Sequence, residues 1–262
     1  MPTYEDLKIL VTVKAYPNLT KHGEAVCVAG IDVNAPRWIR LFPVNYRDLP
    51  WTNQFKKYQI ITLRAAKAKN DRRPESYTPD VDSIQVLSGP IPPKDGWKKR
   101  LQIIEGVPDQ NLCRLQDSQP GGESLGWFRP SEVMGFDVEE DRTPFDPAKV
   151  ALAQHPSLFA PNLRDKTELE KIPFRFLYRF RCGGGNCPSK GHRLSIIDWE
   201  IGALFRNLKT AGDKEEDILR KVREKWFDEM CGESRGTHFY VGNQHQHLDT
   251  FMVLGVASPK RN

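Results

Sequence analysis

Cys182, Cys187 and His192 stand five residues apart in a short glycine-rich stretch, CGGGNCPSKGH. Thiolates and imidazole are the ligands that zinc takes in tetrahedral sites. The consecutive glycines 183–185 let the backbone fold tightly, so that both sulfurs can face one ion. A closed structural site needs a fourth ligand. His245 or His247, in a turn near the C-terminus, are the leading candidates, followed by Cys231 and His238. With three protein ligands, the fourth position would hold water and the site would be catalytic. The competing readings are free thiols beside a surface histidine, or a redox-active pair. Cys27 and Cys113 sit in apolar surroundings and read as plain core residues.

The second candidate chemistry is acidic. Asp198 and Glu200 follow a short apolar strand and open a helix. Carboxylates gathered at a strand end can hold Mg²⁺ for phosphodiester hydrolysis. With His192 nearby, they form the candidate catalytic set of a metal-dependent nuclease, with Lys190 or Arg193 steadying the phosphate. A simpler account covers both acids: Asp is a preferred N-cap, and Glu in the first turn complements the helix dipole.

The third is basic. Arg175, Arg179 and Arg181 fall on one side of an alternating segment, and Arg37, Arg40, Arg72 and Arg73 cluster toward the N-terminus with Arg47, Lys56 and Lys57. Cations tracking phosphates, beside rings stacking on bases, are how small barrels hold single-stranded nucleic acid; Trp38, Tyr46 and Trp51 are the candidate rings. Phe174, Phe176, Tyr178 and Phe180 read instead as core, because four aromatics on one side of a strand usually bury. The arginines themselves could be a solvated face, or be paired with acids.

Short strands separated by turn signals are expected over 8–14, 24–32, 37–43 and 58–66, which predicts a small, strongly bent barrel of the OB, SH3 or PUA kind. Residues 67–79 read as a polar loop and 96–105 as a helix. Residues 124–140 read as two strands that complete the barrel or extend a sheet. Prolines break up 141–171, a linker or surface strap. Strict alternation over 174–181 marks a strand. Beyond it come the Cys/Cys/His knuckle, a strand over 194–197, helices over 198–209 and 213–230, and strands over 237–242 and 250–256. The expectation is an α+β protein: a barrel-like module over 1–145, a strap over 146–171, and a β-knuckle-β-α-α-β-β module over 172–262.

Two sets of blocks, VTVKAYP, RWIRLFPVNYR and DRRPESY near the start, then the knuckle, IIDWE and FYVGN…FMVLG, resemble an uncharacterised family of prokaryotic proteins. That family has no assigned activity, so the resemblance implies one shared architecture and no catalytic residue.

Composition sets the outer bounds. The chain has 262 residues, with 39% apolar and 28% charged residues and a net charge of +5, which describes a globular protein compatible with a polyanionic partner. No apolar run reaches membrane-span length, no signal peptide is read at the N-terminus, and the expected location is the cytoplasm. An odd number of cysteines, five, argues against a disulfide framework. No GxxxxGK[ST] phosphate loop occurs, and no Ser/His/Asp order stands out. The leading expectation is a nucleic-acid-binding protein with a structural zinc knuckle. The alternatives are the nuclease and an interaction subunit that meets a partner protein through its arginines.

Overall fold

A computed structural model describes residues 3–21, 23–154, 168–183 and 187–261. Gly184, Gly185 and much of the expected strap, 155–167, lie outside them.

The N-terminal strands are Tyr4–Lys14 (β1), Asn18–Thr20 (β2), Gly23–Asp32 (β3), Trp38–Val44 (β4), Ile60–Lys67 (β5), Ser76–Pro79 (β6) and Gln85–Val86 (β7). Five of them close a barrel in the order β1-β3-β4-β6-β5, and β5 returns to β1. All neighbours are antiparallel except β4 and β6. β2 and β7 extend the edges of β3 and β5. Alternation decides which side chains fill the barrel: Leu7, Ile9 and Val11 point inward with Val28, Ile39 and Leu41. Leu10 and Val13 point outward yet are fully buried, because they pack on Trp127, Tyr240 and Leu254 of the C-terminal region. The same docking explains why 37–43 shows no polar face.

Helices Lys98–Ile104 (α1) and Leu112–Asp117 (α2) lead to strands Leu125–Phe128 (β8) and Glu132–Glu140 (β9), and then helix Pro147–Gln154 (α3). The chain continues through Phe174–Arg181 (β10), His192–Ser195 (β11), Trp199–Thr210 (α4), Glu215–Arg223 (α5), His238–Asn243 (β12) and Phe251–Ala257 (β13). The last helix runs on through a π-helical segment, Glu224–Glu229. The sheets are β11-β10-β9 and β13-β12-β8. Residues 124–140 therefore extend the C-terminal sheets: Phe128 faces Phe239 and Tyr178 faces Phe136. Phe176, Tyr178 and Phe180 are buried between the sheets with Phe128, Phe205 and Trp226, in the core as their alternation predicts.

Candidate functional site

Cys182 follows the last residue of β10, and His192 opens β11. The paired strands place Phe180 opposite His192. Gly191, at φ +69°, makes the return possible, since a Cβ there would sit 2.6 Å from the Phe180 carbonyl oxygen. Helix α2, capped by Asn111, whose side chain accepts from the Arg114 amide, brings Cys113 against this hairpin. The donor atoms of Cys113, Cys182, Cys187 and His192 all lie within 4.8 Å of one another. Cys113 Sγ is 3.4 Å from Cys182 Sγ, and His192 Nε2 is 3.3 Å from both Cys113 Sγ and Cys187 Sγ. Cys113, Cys182 and His192 are buried and Cys187 is half-buried.

Burial, then the neighbouring Cys182 and Cys187 sulfurs, pushes the Cys113 thiol up to about 12, and burial lowers His192. Taken alone, these shifts favour a protonated Cys113 thiol and a neutral His192 imidazole. A bound cation reverses that preference at sulfur. This Cys₃His group could hold a metal ion.

Its fourth member corrects two expectations. Cys113 is not a plain core residue, and neither His245 nor His247 joins the cluster. The His245 Nδ1 lies 3.3 Å from Asp71, and His247 is exposed on the β12–β13 turn. His238 stacks on Trp127 at 4.7 Å, and the Cys231 thiol donates to the Trp226 carbonyl.

His192, Asp198 and Glu200 do not come together. Among the described residues, the Cys₃His cluster is the one group of three or more potential ligands that converges within 4.8 Å. Asp198 is fully buried, caps α4 by accepting from the Glu200 amide, and accepts from Lys57 Nζ at 2.7 Å. Glu200 meets the same amine at 3.3 Å. Burial alone would lower the Lys57 amine, but the Asp198 and Glu200 carboxylates outweigh it and hold the amine above its ordinary value. Trp199, between the two acids, packs against Tyr16 and Tyr46 of the barrel, away from the knuckle. Both acids thus belong to the seam between the barrel and the C-terminal region.

The arginines divide. On the outer face of β10, Arg175 pairs with Glu139, Arg179 with Asp137 and Arg181 with Glu132, while Arg193 meets both Asp137 and Glu139. Arg37 pairs with Glu5 and Asp32, and Arg72 is exposed. Arg40 and Arg73 are buried, where Arg40 donates to Ser124 and Arg73 to Asp71 and the Asn243 carbonyl. Of the candidate rings, Trp38 and Tyr46 are buried and Trp51 is exposed.

Arg40, Arg73 and Arg175 meet at one feature, a groove of about 1170 Å³ between the barrel and the C-terminal region. Tyr16, Phe42 and Phe174 line its walls, and the exposed cations Lys21, Lys67 and Lys69 join Arg175 among its lining residues.

A family model described as a domain of unknown function, DUF8757, matches residues 108–262. The chain belongs to that family. A second model, also described as a domain of unknown function, DUF8758, matches residues 5–106. The first match contains all four cluster residues and the second contains the barrel strands from Glu5 onward, in keeping with the resemblance to an uncharacterised family. No curated protein matches the chain. Among solved structures, a murine DNA-binding protein bound to double-stranded DNA aligns with 98% of this chain and 100% of its own, at 10% identity and a TM-score of 0.34, a likeness too distant to bear on fold or function. Among the described residues, no helix is long and apolar enough to cross a membrane.

Proposed function

We propose that the protein binds nucleic acid in the groove between barrel and C-terminal region, with a structural zinc ion at Cys113, Cys182, Cys187 and His192. Zinc suits the donor set. Sulfurs at about 2.3 Å and a nitrogen at about 2.0 Å from a tetrahedral ion stand about 3.5–3.8 Å apart; the Cys113–Cys182, Cys113–His192 and Cys187–His192 edges are 3.3–3.4 Å, and the other donor pairs lie within 4.8 Å. Four protein donors complete the tetrahedron, which is the pattern of a structural site. Such an ion ties α2 to the β10–β11 hairpin.

The groove carries the nucleic-acid reading. Cations at its mouth and aromatic walls combine the two contacts that hold single strands, phosphate neutralisation and stacking. Arg179 and Arg181 of β10, by contrast, are not among the groove's lining residues and already have their carboxylates.

The test is fluorescence anisotropy of a labelled 20-nucleotide single strand at several salt concentrations. Binding should weaken as salt rises, with a slope of about −2 to −3 in log K against log salt if three or four phosphates are neutralised. The Lys67→Gln/Lys69→Gln variant should weaken binding and flatten the slope, while Arg179→Gln/Arg181→Gln should stay within about twofold of wild type. Salt-independent binding, or equal losses in the two variants, would refute the groove as the site.

A further inference from the structure

The β12–β13 turn carries a histidine that the Cys₃His cluster leaves out. His245 lines the groove, its side chain is 50% exposed, and its Nδ1 stands 3.3 Å from Asp71 Oδ1. Among the described residues the side chain makes no other polar contact, so Nε2, on the far side of the ring, is unengaged. Asp71 itself is fixed. Its carboxylate accepts from Arg73 Nε at 2.9 Å, from Arg73 Nη2 at 2.7 Å and from the Arg73 amide at 3.1 Å. Arg73 is buried and donates through Nη1 to the Asn243 carbonyl at 2.8 Å, two residues before His245. The turn is held from its own side as well: the Asn243 amide donates to the Ser124 carbonyl and the Gln244 amide to the Thr250 carbonyl, each at 3.1 Å. One buried arginine thus ties the barrel loop that carries Asp71 to the turn that carries His245.

A carboxylate beside Nδ1 favours the ring proton on that nitrogen and leaves Nε2 as an acceptor, which is the arrangement of an oriented general base. Burial alone would raise the Asp71 carboxyl, but hydrogen bonds and charge from Arg73 outweigh it, so Asp71 is ionised at neutral pH. A general base must come within hydrogen-bond reach of the proton it takes, and a half-exposed imidazole on the groove wall meets that requirement where a buried one would not. Cations stand on the same stretch of chain: Lys67 and Lys69, exposed among the lining residues, precede Asp71 by four and two positions. A base beside cations that neutralise a phosphate suits a phosphodiester whose own sugar carries the nucleophile. RNA has that hydroxyl, at the 2′ position next to each phosphate, and DNA lacks it.

We propose that the groove cleaves single-stranded RNA, with His245 as the catalytic base and Asp71 as its positioning residue. The choice of RNA rests on the nucleic-acid reading above. His245 Nε2 takes the proton of a 2′-hydroxyl, the 2′-oxygen forms a bond to the adjacent phosphorus, and the bond from phosphorus to the 5′-oxygen breaks. The 5′-oxygen takes a proton from solvent, and the imidazolium returns its proton to solvent. The products are a 2′,3′-cyclic phosphate end and a 5′-hydroxyl end, with no second substrate consumed. Lys67 and Lys69 offset the charge that builds on the phosphate oxygens.

The experiment incubates the full chain with a labelled 20-nucleotide RNA and with an all-2′-O-methyl strand of the same sequence, and identifies the product ends by mass spectrometry. Wild type should cut the RNA to 2′,3′-cyclic phosphate ends and leave the 2′-O-methyl strand whole. His245→Ala, purified in parallel, should lower kcat by about 10²-fold to 10⁴-fold and bind the 2′-O-methyl strand within about threefold of wild type. His247→Ala, on the same turn but outside the groove lining, should cleave like wild type. Asp71→Asn, assayed below its melting temperature, should lower kcat by about tenfold or more with KM within about threefold; a fall in rate that only tracks the folded fraction would remove Asp71 as the positioning residue. Absence of cleavage by wild type, cleavage that persists in His245→Ala, or cutting of the 2′-O-methyl strand overturns the proposal. If the 2′-O-methyl strand binds with the expected salt slope while RNA stays whole, the reaction falls and the groove reading survives. If His245-dependent cleavage occurs while binding is independent of salt, the catalytic pair stands and the groove reading falls.

Discussion

Asp198→Ala separates a seam residue from a catalytic one. In the native protein the Lys57 and Asp198 side chains are 4% and 0% exposed and 2.7 Å apart. Removing the carboxylate leaves a buried ammonium whose remaining partner, Glu200, is 3.3 Å away and 55% exposed. Breaking one side of a buried ion pair costs about 3–5 kcal/mol. Loss of the α4 cap, where Asp198 accepts from the Glu200 amide at 3.0 Å, adds about 1 kcal/mol. The sum, about 4–6 kcal/mol, corresponds to roughly 8–24 °C in melting temperature for a chain of this size. Asp198→Asn retains a capping oxygen and should cost about 1 kcal/mol less. Adding Lys57→Met to Asp198→Asn removes the stranded charge and should recover most of the loss, because buried pairs exchanged for neutral groups are often near neutral. Glu200→Gln, on an exposed partner, should cost less than about 1 kcal/mol. Urea denaturation of the four variants closes the cycle. A cost below about 1 kcal/mol for Asp198→Ala, with no recovery in the double variant, would refute the argument and return Asp198 to the candidates for chemistry.

Two further outcomes follow from the cluster and from the groove floor. Cys113→Ser should lower bound zinc from about one ion per chain to a small fraction by mass spectrometry and reduce the melting temperature, while Cys27→Ser, at a thiol outside the cluster, should keep its metal; equal metal content in the two variants would rule Cys113 out as a ligand. For Asp71, burial alone would raise the carboxyl, but hydrogen bonds and charge from Arg73 outweigh it and hold it well below the usual carboxylate range. A depressed native value means the stabilisation is complete above the unfolded value near ~3.9 and is lost as pH falls through the native one. Asp71→Asn should therefore cost about 2 kcal/mol at pH 7, and the gap from wild type should shrink below about pH 4; a gap independent of pH would show that the carboxylate charge is not what the site uses.

What could be read from the chain depended on how far apart the interacting residues lie. The strand at Phe174–Arg181 was legible because alternation is local, and the Cys182-Cys187-His192 trio because five-residue steps fit a short hairpin turn. Cys113 was not, because it lies 69 residues before Cys182 and carries no spacing signal; the one local hint is Asn111, a helix-capping type of residue two positions before the thiol. The reading of 67–79 as a polar loop missed β6 for a related reason. Arg73, Glu75 and Ser76 look like solvated residues in sequence, yet all three are buried by partners drawn from elsewhere in the chain, among them Ser124 and Asn243.

Those distant partners also account for the groove. Polar contacts that join the barrel to the C-terminal region include Lys57 with Asp198, Glu75 with Ser124, and Arg73 with the Asn243 carbonyl. Each places a charged barrel side chain against a backbone or capping position of the other region, a geometry that apolar packing alone would not hold to one register. The last two flank Arg40, which is buried and donates to the Ser124 carbonyl and hydroxyl oxygens. These contacts hold the groove walls in one geometry, as a preorganised binding surface would need.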